Sequence, residues 1–534
     1  MLNQSPTQSA KRFWSYSVFY IVLLLALSVW FYQKNQAVSI VSPALNPSKT
    51  IQCVSYSPYY GKAQSPLVLG IKISPAQIDA DLKKLSHISD CVRTYSVGQG
   101  MDYVPEAAQK IGLKVYLGAW VGWINTDNEA EIKLAVKRAN EYPNTIKGLI
   151  IGNEVFLRQE QKQAVMIRYL SYAKSHTKTP ITYADVWEFW IKNKNMEKYV
   201  DFVTVHILPY WENNPVAAED GVMHASNIMT KLGTVFTKPI LIGETGWPSI
   251  GRQRNASKPG LVNQARYIRE FLQTAHDKNW QYNIIEAVDQ PWKRNLEGTV
   301  GGYWGLYNTD LTQKFSLTAP VAERHDGYTP VYLALIGALL WVGILLFKYP
   351  PIKHPPSAGL LVSAASLGAL AGLIGLLQYE YLISACRNGT EWLALGSAAL
   401  LGWLIVVLDP LHIIRQGSAS GAMIRASRYG LMLAAIVASY LIYVDGRYRD
   451  YPNLIFVLPI IVLSGGVLLN YRTLISSSQI NYFLCPFVVI LSLLCLSEEP
   501  NNLSASVWFV LNCLMAITLW PRQKSISKPT PSLS

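Results

Sequence analysis

The stretch KPILIGETGWPS at 238–249 decides the reading of this chain. Pro239 leads into an apolar run, Ile240, Leu241 and Ile242, which suits a strand buried on both faces, and Gly243 then lets the backbone turn tightly. Glu244 therefore emerges at the C-terminal edge of a strand. Upstream, GLIIGNEV at 148–155 repeats the arrangement, with Glu154 following Leu149, Ile150, Ile151 and Gly152 and Asn153 just before it. The two acids stand three strand–helix units apart. In a (β/α)₈ barrel the C-terminal ends of all eight strands line one mouth, so acids so spaced face each other across a substrate.

Between 51 and 289, short β-rich runs alternate with amphipathic segments, the pattern of a parallel sheet covered by helices. Eight strands are expected at 51–57, 92–96, 114–119, 148–152, 181–184, 202–206, 240–243 and 283–287. Helices are expected at 75–85, 103–111, 128–140, 159–174, near 190–198, within 216–235 and at 261–279. After the eighth strand, glycine and aromatic residues replace a helical pattern. Aromatic side chains crowd the segments past the strand ends: Tyr56, Tyr59, Tyr95, Trp120, Trp123, Trp187, Tyr210, Trp211, Trp247, Trp292 and Trp304. Such rings stack on the C–H faces of a pyranose, so together they point to a sugar site. Hydrolysis of a glycosidic bond needs one carboxyl that donates a proton and one that stays ionised, and Glu154 and Glu244 form the natural pair.

The chain has 534 residues, half of them hydrophobic, and its two parts differ in character. From about Val331 onward, apolar runs of membrane-spanning length follow one another, and seven spans are expected, at 331–347, 359–377, 392–408, 429–444, 454–470, 482–496 and 507–520. An apolar segment at 18–32 follows Lys11 and Arg12 and reads as an uncleaved anchor, because residues 36–39 lack a small-x-small cleavage pattern. The expected fold is thus an α/β class TIM barrel followed by an all-α polytopic transmembrane domain. Its divisions are a cytoplasmic N-terminus and anchor at 1–37, a linker at 38–49, the barrel at 50–328, seven spans at 329–521 and a cytoplasmic tail at 522–534.

Placing the barrel outside puts Lys348, Lys353, Arg415, Arg425, Arg428, Arg472, Arg522, Lys524 and Lys528 on the inner side and Arg387, Arg447 and Arg449 on the outer, as the positive-inside rule requires. The net charge of +13 is therefore largely a matter of loops beside anionic lipid, and nucleic acid is not expected as a partner. Gly368 and Gly372 form a small-xxx-small pair suited to close helix packing. Cys386, Cys485, Cys495 and Cys513 fall in or beside the spans, whereas Cys53 and Cys91 open neighbouring strands and are either a disulfide or two buried thiols. No CxxC, His-rich tract or HExxH occurs, so neither a metal nor another cofactor is expected.

IGNEV at 151–155 and IGETGWPS at 242–249 resemble the two signature stretches of glycoside hydrolase family 17, retaining β-1,3-glucanases and β-glucan transglycosylases. RTYS at 93–96, KVYLGAW at 114–120 and EAVDQPWKRNLEGTVGGYWGL at 286–306 are similar to the bacterial, often membrane-anchored branch of that family. The resemblance implies that Glu154 is the acid/base, Glu244 the nucleophile, and Asn153 a hydrogen-bond partner of the sugar 2-hydroxyl. Lys293 and Glu297 match a lysine and a glutamate near the nucleophile in plant members. Gln290, beside Asp289, replaces an acid of that pattern, and VTVHILPYW at 203–211 departs from the asparagine and tyrosine of plant enzymes. Tyr56, Tyr95, Trp120, Tyr210, Trp211, Trp247, Asp289, Trp292 and Trp304 complete the expected substrate-binding set. The expected partners are a β-glucan, the lipid bilayer and a membrane component of a glucan synthesis or export system. The expected location is a bacterial inner membrane with the barrel in the periplasm. A reading from another class makes the chain a glucan-binding or export component, but Glu380, Glu391, Asp409 and Asp445 sit at the ends of the expected spans rather than inside them.

Overall fold

A computed structural model describes residues 6–44, 51–61, 63–348, 356–415, 418–468 and 479–520. Eight parallel strands close into a barrel: β1 (Val54–Ser55), β2 (Cys91–Arg93), β3 (Lys114–Ala119), β4 (Ile146–Asn153), β5 (Ile181–Val186), β6 (Val203–His206), β7 (Ile240–Thr245) and β8 (Gln281–Ile284). The helices outside it are α2 (Pro75–Leu85), α3 (Val104–Lys110), α4 (Asn125–Glu141), α5 (Gln163–His176), α6 (Trp187–Lys192), α7 (Ala218–Val235) and α8 (Leu261–Asp277). α2 starts as its sequence dictates, with Pro75 in the first turn and Ser74 accepting from the Gln77 amide.

The two-residue period of the strands sorts their side chains into a core between sheet and helices and a stack inside the barrel. Val115 and Leu117 join the outer core, with Ile268, Phe271, Leu272 and Ala275 of α8. The opposite face sends Cys53, Cys91, Tyr116, Ile150, Ala184 and Leu241 into an apolar inner cluster. Two residues beyond Cys53 and Cys91 this face carries Ser55 and Arg93, and β6 adds His206 at its end, so the interior turns from apolar to polar towards the mouth. Cys53 and Cys91 are joined as a disulfide between β1 and β2, which closes the alternative left by the sequence.

The sequence misplaced β8 by about two residues, and no full helix follows it. Instead the chain makes a 3₁₀ turn (Pro291–Lys293), a four-residue helix α9 (Arg294–Glu297) and a second 3₁₀ turn (Thr299–Gly302), then returns beside its own outgoing segment. Amides of Leu306 and Tyr307 donate to the carbonyls of Glu286 and Ala287, and Val288 bridges Tyr307. Gln290 explains its own departure from the acidic plant pattern, because its Nε2 donates to the carbonyls of Ser57 and Val288 while its Oε1 accepts from Trp292. A carboxylate has no proton for those two carbonyls.

The chain divides into two compact units, Ala37–Glu323 and a second one built from the segments up to Gln36 and from Arg324 onward. Within the first, Ala37–Val38 pairs antiparallel with Val321–Ala322. The second contains α1 (Pro6–Lys34) and seven helices on which the expected spans fall: α10 (Thr329–Lys348), α11 (Ala358–Ala385), α12 (Gly389–Arg415), α13 (Ser418–Val444), α14 (Asn453–Leu468), α15 (Asn481–Glu498) and α16 (Leu503–Leu519). Among the described residues six helices are long and apolar enough to cross a membrane, α1 included, while α14 and α16 are shorter apolar helices. A Cβ on Gly368 or Gly372 would lie 2.2 Å from the Gly337 carbonyl oxygen or 2.1 Å from that of Leu333, so these glycines let α10 and α11 touch backbone to backbone. Arg324 binds Asp326 and Glu380, and Asp326 accepts from Asn35, which gives Glu380 a partner. The linker positions 45–49, the basic residues Lys353, Arg472, Arg522, Lys524 and Lys528, and the tail 522–534 lie outside the described residues.

Candidate active site

One register shift lies near the start of β3, between Val115 and Tyr116, and three lie towards the barrel mouth. The β4–β5 register shifts between Ile150 and Asn153, β6–β7 between Val205 and His206, and β7–β8 between Ile242 and Thr245. Bulges of this kind re-aim side chains, and here they bring His206 opposite Glu244. Glu154 follows β4 in a left-handed conformation (φ 54°), its amide donating to the Ala184 carbonyl. Gly152, at φ 82°, is the neighbouring position where a Cβ would meet Val155 at 2.9 Å.

The two acids occupy unlike surroundings. Glu244 is almost fully enclosed, its side chain 6% exposed, whereas that of Glu154 is 21% exposed. Arg93 donates to Glu244 Oε1 at 2.5 Å and to Asn153 Oδ1, and its guanidinium lies 4.3 Å from the Tyr95 ring. Burial alone would push the Glu244 carboxyl up, but His206, Arg93 and Lys293 together overcome it and hold the group below the usual carboxylate range. Glu154 Oε1 lies 2.9 Å from His206 Nδ1, and its Oε2 lies 3.7 Å from Arg158 Nη1. Oxygens of the two carboxyls lie within 4.8 Å of each other, and of His206. Among the described residues these three side chains are close enough to hold a metal ion together, and two of their atoms already have protein partners, Glu154 Oε1 with His206 Nδ1 and Glu244 Oε1 with Arg93.

Lys293 stands behind Glu244 and donates to Glu286 Oε2 at 2.8 Å. Burial raises the Glu286 and Glu297 carboxyls to about 7 despite the pull of Lys293. Asp289, expected in the substrate-binding set, has its own protein partners. It is buried, accepts from Lys314 Nζ at 2.7 Å and from the Gly305 amide at 2.9 Å, and so fastens the returning segment. The expected aromatic platforms divide in two. Tyr56, Tyr210, Trp247 and Trp304 are buried, with Tyr56 donating to Asp81, Tyr210 to the Arg252 carbonyl and Trp247 to the Lys258 carbonyl, so their rings form barrel wall. Tyr95, Trp211 and Trp292 are half-buried, and Trp120 is 39% exposed with the Arg158 guanidinium 4.4 Å from its ring.

Three residues of the mouth went unassigned in the sequence: Arg93, His206 and Glu286. Arg93 and His206 lie within quoted motifs, two residues beyond Cys91 and Thr204 on the inward faces of their strands, and that period was the available signal.

Residues 53–305 match the family model described as the BtgE/BtgC glycoside hydrolase domain. The match spans the barrel and just under half of the chain, so the barrel is similar to that glycoside hydrolase domain. The chain is similar to the glucan 1,3-β-glucosidase of Saccharomyces cerevisiae, at 24% identity over 277 residues that cover 46% of this chain and 85% of the relative. It is also similar to the putative glucan endo-1,3-β-glucosidase btgC of Aspergillus niger, at 26% identity, covering 48% of this chain and 41% of that one. Among solved structures, a glycoside hydrolase family 17 β-1,3-glucanosyltransferase from Rhizomucor miehei aligns with 51% of this chain and 99% of its own, at 22% identity and a TM-score of 0.44.

Proposed function

We propose that the barrel cleaves β-1,3-glucosidic bonds with retention, through a glucosyl ester on Glu244, and passes the glucosyl unit to a glucan hydroxyl or to water. The observation that carries this reading is the close pair of carboxyls in unlike surroundings, one enclosed and held ionised, the other partly open. Retaining enzymes keep their carboxyls about 5–5.5 Å apart so that one attacks the anomeric carbon directly, and the 4.8 Å limit on the Glu154–Glu244 oxygens agrees with direct attack. Glu154 then protonates the leaving oxygen and later takes the acceptor's proton, while Asn153 meets the sugar 2-hydroxyl. The β-1,3-glucan substrate is inferred from the similarity to glucan 1,3-β-glucosidases.

Transfer is favoured over hydrolysis by the half-buried rings of Trp211 and Trp292 beside the mouth, which can hold an acceptor chain, and a well-oriented acceptor reaches an effective molarity of about 10⁵ M or more. Incubating the full-length protein with a short linear β-1,3-glucan and following products by mass tests both steps. A ladder above the starting length supports transfer, shorter fragments alone leave a β-1,3-glucanase, and an unchanged substrate overturns the assignment. The apolar helices are read as an anchor in a bacterial inner membrane, with the barrel in the periplasm and both termini cytoplasmic. Reporter fusions near Pro320 and after Ser525 should report opposite sides if so.

A further inference from the structure

The His206 imidazole is fully buried and stands between the two acids. Its Nδ1 lies 2.9 Å from Glu154 Oε1, and its Nε2 lies 3.6 Å from Glu244 Oε1. The strand register fixes this placement, since His206 pairs with Glu244 across β6–β7 and the next amide, of Ile207, donates to the Glu244 carbonyl. Gly243 packs beneath the ring, where a Cβ would meet Thr204 Cγ2 at 2.4 Å and lie 3.3 Å from the His206 Cδ2. Nε2 makes no hydrogen bond among the described residues and is aimed at the enclosed carboxylate.

We propose that His206 is a positioning residue that shares with Glu154 the proton Glu154 delivers to the glycosidic oxygen, while its Nε2–H faces the ionised Glu244. The proposal rests on the reading of Glu154 as acid/base and Glu244 as nucleophile. A proton in the 2.9 Å contact sits either on Glu154, donating to Nδ1, or on Nδ1, donating to Glu154. The two arrangements carry the same total charge, so the pair is one proton-sharing unit. Arg158 on the outer oxygen of Glu154 and Arg93 on Glu244 keep that unit electrostatically balanced.

The proton count closes over both half-reactions. In the first, an oxygen of Glu244 bonds to the anomeric carbon, the glycosidic C–O bond breaks, and the shared proton leaves through Glu154 on the departing oxygen. His206 remains neutral with Nε2 protonated. In the second, the acceptor hydroxyl gives its proton to the Glu154–His206 pair, its oxygen bonds to the anomeric carbon, and the bond to Glu244 breaks. The starting carboxylate and the starting proton are both restored, with no further co-reactant.

The test uses full-length protein and aryl β-laminaribiosides that run from a dinitrophenyl leaving group, which departs without protonation, to a phenyl one, which needs it. His206→Gln keeps an amide in the gap and cannot take the proton, and His206→Asn is a second, shorter replacement that serves if the first fails to fold. For either, kcat/KM is expected to fall roughly 10- to 100-fold further on the phenyl than on the dinitrophenyl substrate, part of the 10²–10⁴ of a full general acid. An equal fall on both substrates, or none, overturns the proposal. Glu154→Gln is the reference for the reading beneath it. If Glu154→Gln steepens the leaving-group dependence and the His206 variants do not, the shared proton alone is refuted; if Glu154→Gln does not steepen it, the acid/base assignment falls and takes the proposal with it.

Discussion

Single side chains at the mouth differ less in type than in what surrounds them. Glu154 and Glu244 are the same amino acid, yet one is enclosed by Arg93, His206 and Lys293 and the other reaches the opening. On the proposed roles, Glu244→Gln should lower kcat by several orders of magnitude, and Glu154→Gln by about 10²–10⁴ on substrates whose leaving group needs a proton. Azide added to Glu154→Ala should restore turnover as a β-configured glycosyl azide, seen by NMR; near-normal turnover in Glu244→Gln would remove the nucleophile assignment. Gln290 makes a separate prediction, because its amide donates to two buried carbonyls. Gln290→Glu should cost about 1–3 kcal/mol of stability at neutral pH by leaving those acceptors unpaired, measured by thermal unfolding. The acid pair was legible in the sequence since each acid ends an apolar run after a glycine. His206 and Arg93 were not, because the two-residue period of β6 and β2 sets them on an inward face without showing that they meet across the barrel.

Elements carry the next level of the argument. Strand order and number could be read from alternating runs of β-branched residues, and β3 falls where its pattern placed it. The boundaries of β8 and the segment after it could not, because that segment takes its form from return contacts such as Lys314 with Asp289, made by residues far along the chain. Trp247 and Trp304, which the sequence places past strand ends, are drawn by packing into the wall. The Cys53–Cys91 disulfide ties β1 to β2, with a sequence separation of 38. Closing a loop of that length removes about 4 kcal/mol worth of unfolded-chain entropy. Cys53→Ala with Cys91→Ala should therefore lower the barrel's melting temperature by many degrees while leaving the leaving-group dependence unchanged, since the bridge lies in the apolar inner cluster below the acids. A melting temperature insensitive both to this double change and to reductant would show that the two thiols are not paired.

The molecule as a whole is two units joined at two points of the chain, Gln36 to Ala37 and Glu323 to Arg324. The barrel unit owns a closed eight-stranded sheet, an unbroken core from Ile51 to Val321 and a disulfide, so its stability does not call on the apolar helices. The small sheet of Ala37–Val38 with Val321–Ala322 belongs to this unit and holds both of its ends. A barrel cut at 46, within the expected linker at 38–49, loses one strand of that pair, whereas a cut at 37 keeps it. Arg324 goes with the other unit, where it is bound to Asp326 and Glu380. A fragment of residues 37–323 is therefore expected to be soluble without detergent, to melt cooperatively, and to give the same products from a short β-1,3-glucan as the full-length protein. It should also melt several degrees above a fragment of residues 46–323, because the missing strand frees both termini. If 37–323 aggregates or is inactive while the full chain turns over substrate, the apolar helices take part in the fold or in the site, and the anchor reading is wrong. If it is active but yields only shorter fragments where the full chain builds a ladder, the helical unit acts on the acceptor, and its role has to be sought in delivering glucan to the mouth.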